Sequence, residues 1–149
     1  MGNYEYQSIA WDLAEKHHQG QRYGKFPYTY HLNQVCEGVR RSAKKLNHDA
    51  SYVDQACAVA ILHDILEDTE CTSADLLSIG LPIPVVEAVD RLTKIDGESY
   101  EGYIHHILHD SLALMVKRED TMMNLTQSQH EGSVKRVNKY ATQLARLYS

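Results

Sequence analysis

The fold is decided by the stretch A-I-L-H-D-I-L-E-D-T at residues 60–69. On an α-helix of 3.6 residues per turn, its apolar side chains fall on one side and its polar side chains on the other. The polar side carries His63, Asp64, Glu67 and Asp68, and residues four apart in this set are neighbours, so we expect one patch. An acidic, solvated helix face and a chemical site account for the pattern equally well, so the rest of the chain must decide.

The length and charge of the chain indicate one domain that binds neither nucleic acid nor a membrane. We expect residues 1–149 to form this domain with a single core. The formal net charge is −5, and the cationic residues are scattered except for one cluster, Arg40, Arg41, Lys44 and Lys45. Broad nucleic-acid binding is therefore not indicated, although a small anionic ligand is compatible with this charge. No segment resembles a signal peptide or approaches membrane-spanning length.

The cysteines indicate a reducing compartment. The chain has three, Cys36, Cys57 and Cys71, with no C-x-x-C pair. Each lies in or beside an apolar helical run, so we expect buried free thiols. Free thiols are typical of cytoplasmic proteins, and a cytoplasmic location is the prediction.

Helical periodicity covers nearly the whole chain, and no convincing β alternation appears. The predicted helices lie at about 4–18, 31–46, 52–68, 72–79, 85–92, 99–109, 111–127 and 133–148. Between them we expect a loop with a basic rim at 20–27 and another loop at 128–132. The sequence therefore predicts a compact, all-α domain.

Four side chains are candidate metal ligands. A hydrolytic metal site needs imidazole and carboxylate ligands from several elements, around a position that water can enter. His63 and Asp64 are neighbours and can reach one metal that lies between their directions. His31 lies where a loop enters a helix, and Asp120 lies on a largely apolar helix. Taken singly, His31 is more simply a cap or core residue, and Asp120 a surface acid paired with Lys117.

Four segments of the chain, taken in order, carry a set of motifs that points to a family. The motifs are H-x-G-Q…P-Y-x-x-H, A-x-L-H-D-x-x-E-D-T, V-x-x-L-T-K and V-K-x-x-D-x-x-x-N-M/L. The segments are 18–31, 60–69, 88–94 and 116–125. With this set the chain resembles the HD-domain superfamily, defined by H…HD…D. More closely it resembles the alarmone-hydrolase branch, which is the hydrolase half of the Rel/SpoT proteins and their stand-alone animal homologue.

The resemblance implies an HD-domain helical fold that holds one divalent metal ion, typically Mn²⁺. The implied ligands are His31, His63, Asp64 and Asp120. A bound divalent ion can lower the pKa of its water to about 7 and polarise a phosphoryl oxygen. The chemistry of the implied ion and the pattern of candidate ligands therefore agree.

The resemblance also implies roles for residues around the ion. Glu67 and Asp68 match the pair thought to orient and activate the attacking water, and such a carboxylate can accept the proton. Asn124 matches a residue near the sugar and phosphates of the ligand. By charge and position alone, three cationic residues are candidates for binding the phosphates: Arg22, Lys25 and Lys94.

The implied function is removal of the 3′-pyrophosphate from (p)ppGpp, with a small nucleotide as the only expected partner besides a second copy of the chain in a homodimer. Two alternatives remain open. The same machinery can act on another nucleotide phosphate, as an NADPH phosphatase or a nucleotide phosphodiesterase. A non-catalytic, nucleotide-binding HD protein is the other alternative. Such a protein would have no reason to keep the four implied ligands together with Glu67 and Asp68.

The chain departs from the branch pattern at several positions. Leu32 replaces the proline that usually follows the first ligand histidine, and the basic loop is about one residue short. Its usual R-K or D-K pair reads Arg22-Tyr23, which leaves the base open. Glu119 replaces an alanine, and we expect it to add negative charge near the site.

Overall fold

The computed structural model describes residues 4–149, and this part of the chain folds into nine helices and one small hairpin. The helices are α1 (Glu5–His17), α2 (Tyr28–Lys45), α3 (Ala50–Leu62), α4 (Ile65–Asp68), α5 (Ser73–Ser78), α6 (Ile83–Leu92), α7 (Tyr100–Leu108), α8 (Ser111–His130) and α9 (Val134–Tyr148). Strands β1 (Arg22–Tyr23) and β2 (Phe26–Pro27) pair antiparallel within the region predicted as a basic loop. The predicted all-α class is confirmed. None of the described helices has the length and hydropathy needed to cross a membrane.

Helix α3 forms the centre of the hydrophobic core. It packs against α1, α2, α6 and α8, and every residue from 56 to 62 is buried. A helix enclosed on all sides is apolar all round, and the sequence A-C-A-V-A-I-L meets this requirement. Ala60, the first residue of the A-I-L-H-D-I-L-E-D-T stretch, is fully buried. The cysteines are buried free thiols, as predicted: Cys36, Cys57 and Cys71.

The predicted continuous helix at 52–68 is wrong, because His63 and Asp64 separate α3 from α4. Asp64 has φ −107° and ψ 1°, which lies outside the helical region. The His63 side chain replaces a helical hydrogen bond, since its Nδ1 lies 2.6 Å from the carbonyl oxygen of Ala60. The interruption leaves His63 buried in the core, whereas the two carboxylates of α4 lie at the surface.

Two other helix boundaries differ from the prediction. Helix α2 begins at Tyr28, so His31 lies within its first turns and not at its start. Pro27 precedes it with extended backbone, a conformation that suits both proline and the residue before a helix. Helix α8 continues to residue 130, through part of the predicted loop at 128–132. Ser128 is accommodated there because its hydroxyl donates to a carbonyl one turn earlier, at 2.8 Å.

The start of α1 is capped by a residue of the core helix. Its own N-cap side chain forms no capping hydrogen bond. Instead, the buried carboxylate of Asp54 accepts from the backbone N–H groups of Tyr6 at 3.0 Å and Gln7 at 3.1 Å. It also accepts from the Gln7 side chain at 2.9 Å. Because the first N–H groups of a helix have no partner within it, Asp54 fastens α1 onto α3.

We expect Asp54→Ala to lower the free energy of unfolding by about 3 kcal/mol, because it leaves buried N–H donors without an acceptor. Urea unfolding followed by circular dichroism measures this. Asp49→Ala is the matched control, since Asp49 caps α3 at an exposed position by accepting from Tyr52. Its loss should cost about 1 kcal/mol. An Asp54→Ala effect no larger than that of the control would contradict the capping role.

Candidate metal centre

Four candidate ligands converge from three places in the fold. Helix α2 provides His31, the junction of α3 and α4 provides His63 and Asp64, and α8 provides Asp120. Asp120 Oδ1 lies 2.9 Å from His31 Nε2 and 3.4 Å from His63 Nε2. His63 Nε2 lies 3.1 Å from Asp64 Oδ2. Within residues 4–149, His31, His63 and Asp120 are the one group of three or more possible ligands whose atoms all lie within 4.8 Å of one another.

The hydrogen bonding of His63 shows that this group fits a cation. A carbonyl oxygen accepts only, so the contact with Ala60 places the hydrogen of the ring on Nδ1. The lone pair of Nε2 then points at the carboxylates of Asp64 and Asp120, and this buried nitrogen has no hydrogen-bond partner in the described structure. A divalent cation between the nitrogen and the carboxylates satisfies all of them, and the backbone contact at the far nitrogen is typical of metal-binding histidines.

The electrostatics of the cluster lead to the same conclusion. Burial disfavours charge on His63, but the carboxylates of Asp64 and Asp120 outweigh burial and raise its pKa, so they favour a positive charge at Nε2, either a proton or a metal ion in its place. Burial likewise opposes ionisation of Asp120, but its cationic and hydrogen-bonding neighbours hold its pKa well below the usual range. One of these neighbours is Lys117, whose Nζ lies 3.6 Å from Asp120 Oδ2. Asp120 is therefore a buried carboxylate of the cluster, not the surface acid that one interpretation of the sequence allowed.

Two tyrosines contact the candidate ligands Asp64 and His31. The Tyr28 hydroxyl donates to Asp64 Oδ2. The Tyr23 ring stacks on His31 with centroids 4.2 Å apart, and its hydroxyl donates to Asn124 Oδ1 at 2.7 Å. Burial raises the pKa of both tyrosines, so both remain donors at neutral pH. The sequence offered a signal only for Tyr28, which precedes His31 by three residues and so shares its helix face.

The proposed proton acceptors lie on α4. The Asp68 backbone N–H donates to the Asp64 carbonyl at 3.0 Å, so the predicted four-residue relation survives the break in the helix. Glu67 Oε1 accepts from the backbone N–H of Lys94 at 3.1 Å. Burial and the negative charges of Asp64 and Glu67 raise the pKa of Asp68. A raised pKa makes a carboxylate a stronger proton acceptor.

A cavity of about 260 Å³ adjoins the cluster. It is lined by Glu67, Lys94, Tyr100, Tyr103, Lys117, Asn124, Lys139, Tyr140 and Gln143. It meets the cluster through Lys117 and Asn124, both of which contact Asp120. Three lysines around one cavity attract an anionic ligand. Nothing in the sequence pointed to the residues from α9, although Gln143 follows Lys139 by four residues and Tyr140 by three, the spacing of one helix face.

The predicted phosphate ligands do not all reach this cavity. Lys94 and Asn124 line it, but Arg22 and Lys25 do not. The Arg22 guanidinium donates to the backbone carbonyl of Lys25 within the hairpin. Lys25 instead lines a separate cavity of about 510 Å³, beside the stacked rings of Phe26 and Tyr30. The sequence could not show this, because a loop places its side chains by turn geometry and not by a helical period.

Glu119 points away from the cluster, contrary to the expectation that it adds negative charge there. Its Oε1 accepts from the Ser42 hydroxyl on α2 at 2.8 Å. Gly38 makes room for it, because a Cβ atom at that position would lie 2.5 Å from Glu119 Oε2. Adjacent residues on a helix point about 100° apart, so Asp120 faces the cluster while Glu119 faces α2.

Comparison with known proteins gives one kind of match. The chain matches no protein-family model, and no curated protein is significantly similar to it. Among solved structures, it is similar to a metazoan ortholog of SpoT that hydrolyses ppGpp and plays a role in starvation responses. The TM-score is 0.73 at 20% sequence identity, and the match covers 99% of this chain and 85% of that one. The chain therefore has the fold of this SpoT ortholog, as the resemblance to the hydrolase half of the Rel/SpoT proteins predicted.

Proposed function

We propose that residues 1–149 form a single metal-dependent phosphohydrolase domain that removes the 3′-pyrophosphate from (p)ppGpp. The observation that carries the proposal is the buried His63 nitrogen, whose lone pair faces two carboxylates beside a cavity lined by three lysines. The fold shared with a ppGpp-hydrolysing protein supports it. A cation site next to a polyanion site suits metal-assisted hydrolysis of a phosphate ester.

The ion would be held by His31, His63, Asp64 and Asp120, and we propose Mn²⁺. Imidazole and carboxylate ligands together suit first-row divalent metals. When bound, such an ion polarises a phosphoryl oxygen and lowers the pKa of water. The buried, free thiols of the three cysteines support a cytoplasmic location.

The residues around the ion divide the remaining work. Lys94, Lys117 and Lys139 neutralise the phosphate charge, and Asn124 binds the sugar or a phosphate. Water attacks the phosphorus atom attached to O3′, the P–O3′ bond breaks, and pyrophosphate leaves whole. Glu67 or Asp68 accepts the proton of the water, and O3′ gains a proton to become the 3′-hydroxyl.

A second candidate substrate is favoured by the hairpin. The Arg22 guanidinium is turned into the hairpin, and Tyr23 is hydrogen bonded to Asn124. In the resembled branch this loop contributes to guanine recognition, and the Arg22-Tyr23 departure from its usual pair therefore leaves the base open. One alternative is that the same metal centre hydrolyses another nucleotide phosphate, such as the 2′-phosphate of NADPH. The second alternative is a non-catalytic protein that binds a nucleotide.

A turnover screen with added Mn²⁺ tests the proposal. The panel contains guanosine tetraphosphate, its adenosine counterpart, NADPH, and simple nucleoside mono- and cyclic phosphates, with products separated by chromatography. We expect release of intact pyrophosphate from guanosine tetraphosphate. Activity on another member of the panel alone would support the same metal-dependent mechanism with a different substrate. No turnover in the presence of bound Mn²⁺ would favour the nucleotide-binding alternative.

A further inference from the structure

The H-x-G-Q segment before the hairpin forms a chain of hydrogen bonds that ends at α4. The buried His18 ring has Nδ1 at 2.7 Å from Gln21 Oε1. The Gln21 amide nitrogen donates to the backbone carbonyl of Asp68 at 3.0 Å. Because this amide nitrogen is the donor, its Oε1 must accept, and the ring hydrogen of His18 lies on Nδ1. Two side chains thus connect the end of α1 to the last residue of α4.

Helix α4 depends on such contacts for its position. It has four residues, fewer than a helix needs to be stable by itself, and the break at His63 and Asp64 separates it from α3. At its end, Gln21 holds the Asp68 carbonyl, and nearby the Lys94 backbone holds the Glu67 side chain. The first contact fixes the backbone of Asp68, and the second fixes the carboxylate of Glu67.

The His18 ring also contacts Tyr28, the tyrosine that is hydrogen bonded to the candidate ligand Asp64. It lies against the Tyr28 ring with centroids 5.0 Å apart, and the Tyr28 hydroxyl donates to Asp64. His18 thus contacts Tyr28 directly and the end of α4 through Gln21.

We propose that His18 and Gln21 are positioning residues, which hold α4 so that Glu67 and Asp68 stand in place to accept the proton. The inference rests on the proposed hydrolytic function. Neither residue contacts the four candidate metal ligands by a hydrogen bond in the described structure. Their effect should therefore fall on turnover and spare the binding of metal and substrate.

The test compares Gln21→Ala, His18→Ala and His18→Asn in the full chain. We expect the two alanine variants to lower kcat by about tenfold to a hundredfold, because small misplacement of a catalytic group has effects of this size. KM and the Kd for Mn²⁺ should stay within about twofold, as expected for groups that act on positioning. His18→Asn should recover most of the lost kcat, because its amide N–H can donate to Gln21 as Nδ1 does. Gln19→Ala, at the exposed neighbouring position, is the matched control.

Two outcomes of the kinetic comparison would overturn the proposal. One is unchanged kcat in Gln21→Ala, which removes a partly exposed side chain and does not threaten the core as His18→Ala does. The other is a parallel loss of kcat and Mn²⁺ affinity, which would indicate a general structural role. Hydrogen exchange separates this inference from the proposed function. If the wild-type protein turns over no substrate, the proposed hydrolytic function is wrong. Faster exchange of the α4 amides in Gln21→Ala would still show that Gln21 holds α4 in place. Unchanged exchange overturns it.

Discussion

Replacing Asp120 by Asn should abolish both metal binding and hydrolysis. One oxygen of Asp120 lies within 3.4 Å of both candidate ligand imidazoles, so it is the central acceptor of the cluster. The amide has no charge, and its nitrogen would present hydrogens to a cation. We expect the affinity for Mn²⁺ to fall by more than about a hundredfold, beyond the effect of losing an outer-shell partner. Calorimetric titration with Mn²⁺ measures the affinity directly.

Thermal unfolding provides a second readout of Asp120→Asn that does not depend on activity. A ligand present at one hundred times its Kd stabilises the folded state by about 2.7 kcal/mol. Mn²⁺ should therefore raise the Tm of the wild-type protein and leave that of the variant unchanged. Glu119→Gln is the matched control, because it removes the adjacent carboxylate of α8, which contacts α2. An equal rise in Tm for wild type and Asp120→Asn would rule out Asp120 as a ligand.

Replacing Glu67 by Gln should remove turnover while metal remains bound. Glu67 lines the cavity and is oriented by the backbone N–H of Lys94, an interaction that the glutamine oxygen can keep. The amide cannot accept a proton from water. A positioned acid or base contributes about 10²- to 10⁴-fold to rate, so kcat should fall by this range. Single-turnover assays at saturating Mn²⁺ measure the chemical step.

Two comparisons make the Glu67→Gln result specific. Glu70→Gln changes an exposed carboxylate just beyond α4 and should leave kcat within about twofold, as surface substitutions away from a site do. Asp68→Asn identifies which of the pair accepts the proton, since the larger loss marks the acceptor. Full hydrolysis by Glu67→Gln together with a large loss in Asp68→Asn would transfer the role to Asp68. Full hydrolysis by both variants would eliminate this pair as the acceptor.

The sequence predicted the helical class and the positions of most helices because each apolar face repeats every 3.6 residues. It could not locate the break at His63 and Asp64, since the apolar and polar residues around them keep the spacing of a continuous helix. The break depends on a side chain bonding to a carbonyl three residues earlier. Interactions of this kind are decided by three-dimensional packing and leave no periodic signal.

The candidate site was predictable to different extents. His31, His63, Asp64 and Asp120 come together as expected, because the resemblance fixed all four in order. Supporting residues distant in the chain were missed, as Lys139 and Tyr23 illustrate. They reach the site only through the packing of α9 on α8 and through the turn of the hairpin.

The interruption between α3 and α4 divides the site into two parts with different freedom to change. His63 is anchored to a helix that is enclosed by the core, where most substitutions disturb packing. The carboxylates of α4 stand on a single surface turn, held by a few hydrogen bonds. In the proposed enzyme, substitutions among the surface contacts of α4 can thus change catalytic rate or substrate while the core and the candidate metal ligands stay intact.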